Sequence, residues 1–122
     1  MLPTTSLKLE TLLKRSRLSN EEVEKIVQVF GHYSIGKWVY PGAIHRVTQI
    51  PIEKVYEVLN IMEGEGIVKS YFEVICSECK KATSTIYHSI DEIPDEYLCD
   101  NCGNEGIASE NAVLIYRVVK DE

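Results

Sequence analysis

Four cysteines are the residues of this 122-residue chain whose type and spacing point to chemistry. They stand as Cys76-Ser77-Glu78-Cys79 and Cys99-Asp100-Asn101-Cys102, with nineteen residues between the pairs. A two-residue gap lets both sulfurs of a pair point out of one tight turn. Two such turns can place four thiolates at ~2.3 Å around a tetrahedral ion. This spacing reads as a zinc ribbon, with Cys76, Cys79, Cys99 and Cys102 as ligands and Zn2+ as the cofactor. Four sulfurs close the coordination shell and leave no position for a catalytic water, so the metal is expected to be scaffold. Gly103 follows the second pair, where such a turn often needs a positive φ. Three other uses of the thiols compete. Disulfides need an oxidising compartment, a redox pair needs a neighbouring βαβ pattern, and free thiols would match this spacing by coincidence.

No other set of residues carries a comparable pattern. His32, His45 and His88 share no spacing, and each is expected on the surface or in the core rather than on a metal. No glycine-rich phosphate loop, H-E-x-x-H or G-x-S-x-G element is present, so no enzymatic activity and no small-molecule substrate are expected. Asp91, Glu92, Asp95 and Glu96 cluster beside Pro94 in the spacer between the cysteine pairs. Clustered acids on a loop are usually a solvated turn, and peptide binding is the better functional use of them.

Charge divides the chain. Residues 1–66 hold eight Lys/Arg and eight Asp/Glu, whereas residues 67–122 hold five and eleven, which accounts for the whole net charge of −6. Zinc on four thiolates adds two further negative charges, so the cysteine-bearing part should repel phosphates. No apolar run approaches the ~18 residues of a membrane span. Met1–Thr5 has neither the basic start nor the apolar stretch of a signal peptide, and a cytoplasmic location with no membrane partner is expected.

The elements that must position the cysteines can be read by their periodicity and punctuation. A first helix is expected over Ser6–Arg15, with Leu9, Leu12 and Leu13 on one side and Lys14, Arg15 and Arg17 at its end. Those leucines either cover the core or form a dimer element. A second begins at Ser19, whose partner Glu22 completes a capping box. It runs through Val23, Ile26, Val27 and Phe30 to Gly31. After the extended piece Lys37–Tyr40, in which Trp38 is expected to anchor the sheet, Pro41 opens a third helix to Thr48 that buries Ala43, Ile44 and Val47. A fourth runs from Pro51 to about Glu63, with Ile52, Val55, Tyr56, Leu59 and Met62 as its core stripe. Strand-like stretches Tyr71–Ile75 and Thr83–His88 flank the first cysteine pair. The stretch Val113–Val119 is apolar on both alternating faces, as a strand in a covered sheet would be. The fold class is α+β.

The stretch Gly36–Val68 resembles the winged helix-turn-helix superfamily. The residues that carry the likeness are Tyr40-Pro41-Gly42-Ala43-Ile44, Val47, Ile50-Pro51, Val55, Leu59, Met62 and Glu65-Gly66-Ile67-Val68. Joined to a four-cysteine ribbon, it is similar to the alpha subunit of the general transcription factor E family and to small prokaryotic winged-helix proteins with a ribbon extension. In the factor E family a longer connection separates the two parts, whereas here Ile67 runs straight into Cys76. The resemblance implies a winged helix with its N-terminal helix over residues 1–75, a ribbon over 76–110 inserted at or following the wing, and a closing strand and tail over 111–122. The strand from Ile67 would then lie beside Val113–Val119.

The resemblance also implies double-stranded DNA as the partner and transcription regulation as the role. Candidate DNA contacts are Lys37 and Arg46, in the stretch Lys25–Ile52 that holds no acidic residue, the basic cluster Lys14, Arg15 and Arg17, and Lys54, the one strong donor on the exposed face of the fourth helix. The outward face of the fourth helix would carry Glu53, Lys54, Glu57, Val58 and Ile61, a poor set for reading bases. Exposed Val58 and Ile61 would suit a protein partner or homodimer instead. An adaptor that uses the same scaffold without binding DNA is therefore the alternative.

Overall fold

The computed structural model describes residues 3–120. Four helices come first: α1 (Pro3–Leu13), α2 (Asn20–Phe30), α3 (Pro41–Thr48) and α4 (Ile52–Gly64), with the short strand β1 (Trp38–Val39) between α2 and α3. Strands follow: β2 (Val68–Ile75), β3 (Ala82–Tyr87), β4 (Glu96–Leu98), β5 (Glu105–Ile107) and β6 (Ala112–Val118). Single 3-10 turns occupy Ile90–Glu92 and Ser109–Asn111. The chain is thus α+β, four helices followed by antiparallel sheets.

Local signals set the helix ends. The Ser19 hydroxyl accepts from the Glu22 N–H at 3.1 Å while the Glu22 carboxylate accepts from the Ser19 N–H at 3.0 Å, so two otherwise orphaned donors are satisfied reciprocally. Pro41 sits in the first turn of α3, where a missing N–H costs nothing. That helix stops at Gln49, whose φ of 63° turns the chain left-handed while its N–H still reaches the His45 carbonyl at 2.8 Å. α1 ends at Leu13, earlier than its basic tail suggests, so Lys14, Arg15 and Arg17 lie past the helix.

The chain forms two compact units. One comprises the residues up to Lys69 together with those from Tyr116 onward; the other is Ser70–Ile115. In the first, Leu9, Leu13, Ile26, Phe30, Leu59 and Met62 are fully buried, and α1 packs on α2 and α4. β1 pairs antiparallel with the end of β6, setting Trp38 opposite Arg117 and Val39 opposite Tyr116. The Val119 N–H closes this unit onto the Ile67 carbonyl at 2.9 Å. In the second unit β2 pairs antiparallel with β3, Phe72 facing Tyr87, and β4 pairs with β5 in a separate two-stranded sheet. The larger sheet has the order β1-β6-β2-β3, with β6 beside β2.

Four expectations about which side chains are buried are corrected. On α4 the buried positions are Val55, Val58, Leu59 and Met62, a full i, i+3, i+4, i+7 stripe. Val58 is 1% exposed and Ile61 is half-buried, so they form no exposed aliphatic pair. The helix is covered from both α1 and α3, which widens its buried arc beyond what an isolated wheel suggests. On α3 it is Pro41, Ile44 and Thr48 that face inward, and Val47 is 71% exposed. Thr48 can be buried because its hydroxyl donates to the Ile44 carbonyl at 2.7 Å and accepts from the Ile50 N–H. Along β6, Ile115, Tyr116 and Val118 are buried while Val113 is 40% exposed, so the strand is not covered on both faces throughout. Trp38 is half-buried under the Arg117 guanidinium, 5.2 Å from its ring, and the anchor of β1 is Val39.

Candidate metal centre

The two cysteine turns have the same backbone. In the first, the Cys76 N–H donates to the Lys81 carbonyl at 2.9 Å and the Lys80 N–H to the Cys76 carbonyl at 3.0 Å. In the second, the Cys99 N–H donates to Asn104 at 2.8 Å and the Gly103 N–H to Cys99 at 2.9 Å. The bonds span the same number of residues in each. Each turn therefore needs a left-handed residue directly after its second cysteine. Gly103 supplies it at φ 77°, but the matching residue in the first turn is Lys80 at φ 61°. β2 and β3 hold the first turn at their shared end, and β4 and β5 hold the second.

The turns bring four sulfurs together. Cys76 and Cys102 stand 3.6 Å apart, as do Cys79 and Cys99, and all four atoms lie within 4.8 Å of one another. A tetrahedron with ~2.3 Å metal–sulfur bonds has edges of ~3.8 Å, so the set fits Zn2+. A disulfide would need ~2.05 Å, and neither pair approaches it. The electrostatics agree. The Cys79 N–H on its sulfur, helped by that of Glu78, holds the Cys76 thiol down to about 6. The Lys81 N–H lowers Cys79 in the same way. Cys102 receives the Asn104 N–H, yet desolvation and the three neighbouring sulfurs push its thiol up to about 12. Four thiolates cannot ionise side by side unaided, and a divalent cation among them is what makes that charge state stable.

An outer ring of side chains steadies the ligands. The Tyr97 hydroxyl accepts from the Ser77 N–H at 3.1 Å, and the Asn104 carboxamide reaches that hydroxyl at 3.3 Å and the Cys76 sulfur at 3.7 Å. The Tyr97 ring lies on the backbone of Gly106, its partner across β4–β5. A Cβ there would meet the ring at 2.7 Å, so only glycine fits. Val74, Cys76, Tyr97, Cys99 and Ala108 make up the buried centre of this unit. None of Tyr97, Asn104, Gly106 or Lys80 was legible from spacing alone. The one available signal was that residues 99–104 repeat the turn of 76–81.

The remaining candidate residues do not converge. Lys14 pairs with Glu10 at 3.2 Å, Arg17 with Glu57, and Lys54 with Glu22 at 3.0 Å. The Lys37 ammonium sits 4.6 Å from the centre of the Tyr33 ring, while Arg15 and Arg46 are exposed. His45 bonds the Ile50 carbonyl at 2.6 Å and His88 stacks edge-on against Tyr71. In the acidic spacer the Glu92 carboxylate accepts from the His88 N–H at 2.9 Å. No helix among the described residues is long and apolar enough to cross a membrane. Comparisons with protein-family models, curated proteins and solved structures find no match to this chain.

Proposed function

We infer that this chain is a non-enzymatic adaptor, a zinc-stabilised ribbon carried on a winged-helix-like unit that meets protein rather than DNA. One observation carries the reading: the cations around α4 are already neutralised within the chain. Lys54, the basic side chain of that helix, has its ammonium 3.0 and 3.3 Å from the two Glu22 oxygens, and Arg17 is engaged by Glu57. Of the side chains that α4 leaves outward, Glu53 is a poor neighbour for phosphates, and Asn60 is a lone polar group of the kind that reads base edges. The helix order, the glycine turn at Gly66 and the strand β6 beside β2 support the winged-helix part of the reading. A surface for a partner exists elsewhere on the unit. Exposed Val47 borders an open cavity of about 400 Å³ between α2 and α3, with Val29, Lys25 and His32 around it.

One observation favours a second reading. The stretch Lys25–Ile52 holds no acidic residue, and Arg46 stands exposed on α3, so phosphate contacts could come from that side. A salt titration on duplex DNA separates the two. The adaptor reading expects affinity no tighter than the non-specific ~10⁻⁶ M at physiological salt, and a partner, reconstituted from purified components, whose association is lost in Val47→Asp. Tight binding that falls steeply with salt and disappears in Lys37→Glu with Arg46→Glu would replace it with the DNA reading.

A further inference from the structure

The two-stranded sheet β4–β5 turns one face to its own core and the other to water. Tyr97 and Gly106 lie opposite each other and face inward. Strand alternation then puts Glu96 and Leu98 of β4 and Glu105 and Ile107 of β5 together on the outer face. The register sets Glu96 across from Ile107 and Leu98 across from Glu105, so each aliphatic stands beside a carboxylate on both axes of the sheet. Leu98 is 60% exposed and Ile107 49%. A groove of about 200 Å³ runs over Gly106, bordered by Glu96, Glu105 and Ile107.

Leu98 and Ile107 are the apolar area of this face, and anything that covers them must also answer the two carboxylates beside them. The charge says which partner. From Ala82 to Tyr116 the chain has no lysine or arginine and seven aspartates and glutamates, and a tetrathiolate zinc centre adds two negative charges. No cation of this stretch can answer Glu96 and Glu105, and phosphates would be repelled. We propose that this face docks an extended, lysine- or arginine-rich peptide segment bearing aliphatic residues. Alternating basic and aliphatic side chains of such a segment match the alternation on the sheet at strand spacing. The proposal rests on the adaptor reading and deepens it by naming a surface and a class of partner.

The test uses the zinc-loaded full chain and three labelled synthetic peptides, (Lys-Val)n, (Lys-Ser)n and (Glu-Val)n of equal length. The lysine–valine peptide should bind and shift the amide resonances of residues 96–98 and 105–107. The other two should bind at least tenfold more weakly. Leu98→Ser with Ile107→Ser, and separately Glu96→Gln with Glu105→Gln, should each weaken binding at least tenfold with zinc content and melting unchanged. Equal binding of the lysine–serine peptide would reduce the face to unspecific charge and overturn the proposal. So would resonance shifts confined to other residues, or affinity unaltered in both variants. Sedimentation showing a dimer that the serine variant dissolves would assign the face to a second copy of the chain instead. Loss of the peptide result with Val47→Asp still abolishing partner association would sink this surface and leave the adaptor reading standing; tight salt-sensitive DNA binding would do the reverse.

Discussion

Lys80 and Gly103 occupy the same place in two copies of one turn, and the difference between them isolates a single backbone effect. An L-residue with a Cβ held near φ 60° costs roughly 1–2 kcal/mol relative to its right-handed conformation, because the Cβ crowds the following carbonyl. Glycine escapes that cost but loses more entropy on ordering, about 0.4–1 kcal/mol. The net sign still favours glycine. Lys80→Gly should therefore raise the stability of the zinc-loaded protein by up to about 1 kcal/mol, and Gly103→Lys should lower it by a similar amount, read from the midpoint of denaturant unfolding at saturating zinc. Equal midpoints for all three proteins would mean that the first turn relaxes out of the left-handed region in solution. The lysine at this strained position is exposed.

At the scale of elements, α2 shows how much one carboxylate can hold. Glu22 caps its own helix through the Ser19 N–H and also grips Lys54 of α4. The Ser19 N–H, then Lys54, lowers its carboxyl below the ordinary value of 4.5. A carboxyl depressed in the folded state stabilises the fold above its unfolded pKa, and that contribution is lost as pH falls through the folded value. Glu22→Gln keeps the capping geometry and removes the charge, so it should cost less than about 1 kcal/mol at pH 7, a difference that disappears as pH falls through the depressed folded-state value. Glu22→Ala should cost about 1 kcal/mol more at every pH, because the cap goes as well. Parallel acid limbs in thermal melts of the wild type and Glu22→Gln would contradict the linkage. Capping of this kind was legible in the sequence, since Ser19 and Glu22 act within one turn, and so were the four sulfur ligands and the limits of α3 and α4. The faces were less so. Val47 and Thr48 exchange their expected places because a threonine hydroxyl can be satisfied by its own helix, and Val58 is buried because α4 has neighbours on two sides. Neither fact is local. The pairing of Lys54 with Glu22, 32 residues apart, was invisible for the same reason, and it changes what the helix can recognise.

For the molecule as a whole, the two units have cores of very different size. The helical unit buries Leu9, Leu13, Ile26, Phe30, Leu59 and Met62 completely and adds Tyr116 from the returning strand. Apart from its two buried cysteines, the unit Ser70–Ile115 buries Val74, Tyr97, Ala108 and Ile115, with Tyr87 and Ile93 half-buried against that cluster. So small an apolar core is a weak counterweight to the backbone entropy of a stretch this long, at roughly 1–2 kcal/mol per residue. Thiolate–metal bonds add a large further contribution, on the order of 10 kcal/mol for a site of this kind. Removing the metal with a chelator should accordingly abolish amide protection across Ser70–Ile115, while α2 and α4, whose core contains no ligand, stay protected. Cys99→Ser should give the same pattern with zinc present, because one lost thiolate opens the shell. Deleting the residues after Ile115 should do the opposite damage. It removes Tyr116 and the bonds by which β6 holds Gly36, Lys37 and Ile67, so protection should fall in the helices even with zinc bound. Hydrogen exchange on the chelated, Cys99→Ser and truncated proteins measures all three. Helices that melt on chelation as fully as the ribbon does would show one cooperative unit, and a ribbon that stays protected without metal would remove zinc from the account of its folding.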